Sequence, residues 1–169
     1  MNTSERVPGV VIGKVMDNRD PDGLGRIKVS YPFLDSPEAR WIPLAMPMAG
    51  EDRGLFCMPE RDDEVVVAFH MGMWDDPVAI GMLWNPRQRP PSADPRQRMW
   101  RSKNGHTIRM LDSTPKNGNL GALVIEDGHG NTITMTNGEL RISAVGRLSL
   151  DAAMVTIGTR VVRPVGGPI

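Results

Sequence analysis

The chain has 169 residues, 40% apolar and 24% charged, with no formal net charge. No run of about 18 apolar residues occurs, which excludes a hydropathy-type membrane helix, and a single cysteine excludes an internal disulfide or a paired-cysteine metal knuckle. Eighteen Gly and fifteen Pro favour many short strands and turns over helices.

Residues 1–9 read as an extended arm. Met1–Arg6 holds no apolar signal core, so the chain is expected to be made in the cytoplasm without a signal peptide. Five strands are expected over 10–86: Val10–Met16, Gly25–Tyr31, Arg40–Met46, Glu64–Phe69 and Val78–Leu83. The first two flank the turn Asp20-Pro21-Asp22-Gly23-Leu24-Gly25. There Pro21 presets φ, Gly23 and Gly25 permit positive φ, and Asp22 completes the structural turn. Cys57 lies in the apolar run Leu55-Phe56-Cys57-Met58 and reads as a small buried hydrophobe. Residues 1–86 hold 8 basic against 14 acidic groups, net −6, which disfavours phosphate-backbone contacts and hence a nucleic-acid partner.

Residues 87–98 are Pro- and Arg-rich with no apolar periodicity, a linker. Residues 87–109 carry seven basic groups and only Asp94 as an acid, net +6. In 99–169, Thr107-Ile108-Arg109-Met110 is echoed 25 residues later by Thr132-Ile133-Thr134-Met135. From Leu140 to Met154 all eight even positions are apolar or small, against two of seven odd ones, which predicts a long half-buried strand system of period two. A meander of this size with Trp100 as its only aromatic buries too little surface alone, and oligomerisation would cover its apolar face and its strand edges.

Catalytic chemistry is not visible. His70, His106 and His129 are scattered, with the last two at nearly equivalent turn positions of the echo. No metal-binding spacing, serine elbow or phosphate-binding fingerprint occurs, so neither an enzyme nor a cofactor is expected. Asp62-Asp63-Glu64 and Asp75-Asp76 read as turn and strand-start residues.

Six ordered blocks over residues 8–86 carry a family resemblance: the strand Val10–Met16, the turn and strand Asp20–Pro32, Trp41-Ile42-Pro43-Leu44, Gly54–Pro59, Asp62–Phe69 and Asp76–Asn85. This succession resembles the OB-fold domain of contractile-tail spike proteins, which include phage baseplate assembly protein V and the VgrG spikes of type VI secretion. The resemblance implies an all-β chain: a five-stranded OB-fold barrel over 10–86, then a trimeric, intertwined β-helix over 99–169 ending in a tip. It further implies a structural homotrimer in a virion tail baseplate or phage-tail-like particle. A hub protein would sit at the barrel end, a PAAR-like tip protein would dock on Val165, Gly166, Gly167, Pro168 and Ile169, and the target membrane would be met on firing. Leu140, Ile142, Leu148, Leu150 and Met154 would face the trimer axis. The alternative is an OB-fold module that binds single-stranded nucleic acid or an oligosaccharide.

Overall fold

The computed structural model describes residues 6–34, 38–114, 121–158 and 160–162. The chain divides into two compact units, Met1–Pro90 and Pro91–Ile169.

The first unit is built on β1 (Val10–Asp17), β2 (Ile27–Ser30), β3 (Arg40–Ile42), the small hairpin β4 (Ala49–Gly50) and β5 (Arg53–Gly54), β6 (Glu64–Phe69) and β7 (Pro77–Leu83). The five longer strands make one sheet in the order β3-β2-β1-β6-β7. Its two edges then meet. Leu44 bridges Ala79 in parallel, the Ala45 N–H donates to the Ala79 carbonyl at 2.8 Å, and the Ala79 N–H donates to the Pro43 carbonyl at 2.9 Å. Joining β3 to β7 closes the sheet into a five-stranded barrel of the OB type. Pro43 has no N–H to give, but at this seam only its carbonyl is required.

Alternation decides the barrel's inside. Along β6, Val65, Val67 and Phe69 are buried while Glu64, Val66 and Ala68 are only partly covered. They meet Val15, Ile27, Val29, Tyr31, Ile42 and Ala79 in one core. Gly13 is required on β1 for close approach: a Cβ there would stand 2.4 Å from Val29 Cγ1 and 3.3 Å from the Ser30 carbonyl oxygen. One end of the barrel is aromatic. Phe69 and Trp74 stack at 5.2 Å, Tyr31 tilts against Trp74 at 5.1 Å, and the Arg40 guanidinium lies 4.8 Å over the Trp74 ring.

The second unit contains β8 (Gln97–Arg101), β9 (Thr107–Leu111), β10 (Ala122–Glu126), β11 (Thr132–Thr136), β12 (Glu139–Ser143) and a terminal hairpin, β13 (Val155–Ile157) with β14 (Arg160–Val162). Strands β8 to β12 form an antiparallel meander in chain order. Its first strand starts from a turn in which Asp94 receives the Arg96 N–H at 3.1 Å and the Arg96 guanidinium at 2.7 Å, which holds the Asp94 carboxyl below its ordinary range.

Two expectations are corrected. Cys57 is exposed, because the chain leaving β5 turns Phe56 and Cys57 outward while Met58 packs against the core; Phe56 is 79% exposed. The alternating stretch 140–154 is strand only as far as Ser143. Alternation says which side chains share a face, but a strand also needs a neighbour for its ladder, and residues 144–154 have none within the described chain. A β-helix wound from several chains is not visible in one chain, which over 97–143 forms a flat-topology meander.

Candidate functional site

The turn between β1 and β2 is organised by Asp20. Its carboxylate accepts the N–H groups of Asp22, Leu24 and Arg26 at 3.1, 3.0 and 3.1 Å. It also accepts the Arg26 guanidinium twice, Nε at 3.0 Å and Nη2 at 2.8 Å, while Arg26 reaches Asp22 as well. Only 4% of the Asp20 side chain is exposed. The Arg26 guanidinium, followed by the backbone donors, holds the Asp20 carboxyl well below the usual carboxylate range, and the same contact raises Arg26. Gly23 and Gly25 adopt φ of +67° and +72°, and Pro21 and Asp22 occupy the turn between them and Asp20. The predicted turn residues are thus brought together, but the two that hold them, Asp20 and Arg26, are missing from the sequence-derived set. An Asp immediately before Pro-Asp-Gly, where Asx side chains bond their own backbone, was the available signal.

The acidic pairs hold local structure. Asp62 pairs with Lys14 at 2.8 Å; Asp63 accepts the Glu60 N–H and the Gln88 amide, each at 2.8 Å. Asp75 meets Arg40 at 3.3 Å and Asp76 meets His70 at 2.9 Å.

The second unit presents a different kind of surface. Register places Trp100, Ile108, Ile125, Ile133 and Ile142 in one row across all five strands. The next row on the same face, two residues along each strand, is Arg98, Met110, Leu123, Met135 and Leu140. Nine of these ten side chains are apolar, and Trp100, Ile108, Met110, Ile125, Met135, Leu140 and Ile142 are all exposed. The opposite face carries the rows Arg101-Thr107-Glu126-Thr132-Ser143 and Met99-Arg109-Val124-Thr134-Arg141. One side of the sheet is therefore apolar and uncovered in the single chain, and the other is mostly polar.

Of the residues proposed for a trimer core, Leu140 and Ile142 sit on β12 within the apolar face. Leu148, Leu150 and Met154 are exposed in the segment between β12 and β13. Val165, Gly166, Gly167, Pro168 and Ile169 lie outside the described residues. Sequence reasoning missed Trp100, Ile108, Ile125 and the methionines of the face; the Thr-Ile-x-Met echo was the available clue, because β9 and β11 flank β10 in the same direction and align its two copies. Loops at one end of the sheet bring the two echo histidines together, with ring centroids 6.3 Å apart, and the Gly128 N–H donates to His106 Nδ1 at 3.2 Å. In the second loop Asp127 accepts the Asn131 side-chain amide at 2.6 Å and the N–H groups of His129 and Asn131 at 2.9 Å, contacts led by Asn131 that hold its carboxyl down to about 2.

The all-β chain is thus a closed OB-type barrel followed by a β-sheet with an apolar face that one chain leaves uncovered. Residues 11–84, the barrel, match the family model described as the type VI secretion system/phage-baseplate injector OB domain. Among curated proteins of Pseudomonas aeruginosa PAO1, the chain is 27% identical over 133 residues to type VI secretion system spike protein VgrG2a, covering 71% of this chain and 15% of the relative. It is also 27% identical to spike protein VgrG2b, at 71% and 13% coverage, and 28% identical over 126 residues to VgrG5, at 72% and 15%. The chain thus spans about 15% of the length of the curated relatives it matches. The resemblance to contractile-machine spike proteins read from the sequence holds: the barrel matches the injector OB-domain model, and the chain is similar to VgrG spike proteins.

Proposed function

We propose that this chain is the trimeric central spike of a contractile injection machine, most like phage baseplate assembly protein V. The observation that carries the proposal is the apolar face of β8 to β12, uncovered in one chain. Large exposed apolar surfaces mark assembly sites, and three copies turning this face inward would bury it while supplying strand neighbours for residues 144–154. Those neighbours would make the intertwined β-helix, with Leu140, Ile142, Leu148, Leu150 and Met154 toward its axis. The barrel end would dock on a hub protein, and the C-terminal end would hold a PAAR-like tip protein. In a virion tail baseplate or phage-tail-like particle, sheath contraction would drive this spike through the target envelope. The role is mechanical and non-enzymatic, because hydrogen bonds between chains and an axial core resist bending. Light scattering on the purified full chain tests it: three times the 18.6 kDa chain mass is expected, and a folded monomer at micromolar concentration would overturn it.

A further inference from the structure

A cleft of about 220 Å³ opens on the polar side of the meander, far above the ~10–15 Å³ that one water needs. Register explains its composition. Arg101, Thr107 and Glu126 form one cross-strand row, Arg109 belongs to the next, and Gln97 lies two residues beyond Met99 on β8. Ser92, from the segment that precedes β8, lines the other wall.

The cleft is rich in hydrogen-bond donors and short of acceptors. Arg101 is exposed, and its guanidinium has no hydrogen-bond or ion-pair partner among the described residues. Arg109 Nη2 stands 3.6 Å from Glu126 Oε2, beyond hydrogen-bond range, so its N–H groups remain available. Ser92 Oγ already accepts the Asp94 N–H at 3.1 Å, which leaves its O–H to donate. The Thr107 hydroxyl is occupied, donating to the Gly105 carbonyl at 3.0 Å. With two guanidinium groups against one carboxylate the lining carries net charge +1. A guanidinium fork matches oxyanions two oxygens at a time. One fork satisfies a planar carboxylate, whereas two forks from neighbouring strands suit a tetrahedral anion with three or more oxygens.

We propose that this cleft binds a phosphate group, with Arg101 and Arg109 as its cationic clamp. The test is calorimetric titration of the full chain with inorganic phosphate at constant ionic strength, alongside acetate. Saturable phosphate binding is expected, weakened about tenfold or more in Arg101→Gln and weakened also in Arg109→Gln. Arg141→Gln, on the same sheet face but outside the cleft, should bind as the parent does, and circular dichroism should show all three variants folded. Vesicles of phosphatidylcholine with and without phosphatidic acid identify the source. Capture by phosphatidic acid that Arg101→Gln abolishes assigns a lipid headgroup; free phosphate binding without vesicle capture assigns a soluble phosphate compound. The proposal is overturned if phosphate heats do not saturate, if acetate binds as tightly, or if Arg101→Gln binds phosphate or vesicles as well as the parent.

Discussion

Ile125 on β10 stands directly opposite Ile133 on β11, and both side chains lie on the uncovered face of the meander. The next pair along, Val124 with Thr134, points to the other face. This one-residue distinction gives a sharp mutational test of which face assembles. Ile125→Lys should lower the light-scattering mass from trimer to monomer, because a lone ammonium would be desolvated at the interface. Thr134→Lys should leave the mass unchanged. Leu148→Asp should also dissociate the assembly, since it would bring three carboxylates near one axis. Equal masses for Ile125→Lys and the parent would assign the assembly surface elsewhere.

The Asp20 carboxylate is the hub of the first turn, joined to three N–H groups and to the Arg26 fork. Asp20→Asn removes the charge and half of the acceptor geometry and should lower the melting temperature of the barrel. Asp22, whose largely exposed carboxylate meets only Arg26 among the described residues, should matter less. Thermal melts of Asp20→Asn and Asp22→Asn should therefore separate, with the first clearly lower. Coincident melts would show that the turn is held by Gly23, Gly25 and Pro21 alone.

Stability should fall in acid within a defined window. Asp127 moves from its ordinary 3.8 to about 2 in the folded chain, and Asp20 is lowered still further. A depressed folded value means that the unfolded chain takes up the proton first as pH drops. The contribution is thus complete above about pH 5 and is lost progressively on going down through pH 2. Melting temperature measured from pH 7 to pH 2 should hold steady through pH 5 and then decline. In Asp127→Asn the decline should be shallower.

Tyr31 is fully buried, and its hydroxyl is the one buried side-chain polar atom without a partner among the described residues. Burial also pushes its phenol upward in pKa, with Arg40 opposing. An unpaired buried hydroxyl costs free energy that a phenyl ring does not. Tyr31→Phe should leave stability unchanged or raise it by about 1 kcal/mol in chemical denaturation. A loss of that size would reveal a partner for the hydroxyl in the assembled protein.

The barrel was largely legible because its determinants are local. Val- and Ile-rich runs at Val10–Met16 and Glu64–Phe69, punctuated by Pro and Gly, mark the strands, whereas which face of the run Val65–Phe69 is buried shows only in the fold. The observed β3 is shorter than expected, Arg40–Ile42 instead of Arg40–Met46, because the chain beyond it leaves β2 to make the parallel seam with Ala79. Cys57 was misplaced for the converse reason: four apolar residues in a row have no period, so nothing in Leu55–Met58 says which side meets the core.

The sequence by itself determined the all-β character, the turn at Pro21–Gly25 and the alternation that gives the second unit an apolar side, since backbone sterics and side-chain period act over a few residues. Only the tertiary structure decided that Asp20 rather than its glycines organises that turn, that Trp100, Ile108, Ile125, Ile133 and Ile142 form one row, and that Arg101 and Arg109 line one cleft. Those relationships depend on strand register, which joins residues as far apart in the chain as Trp100 and Ile142, and register follows from the pairing of whole strands rather than from any single stretch of sequence.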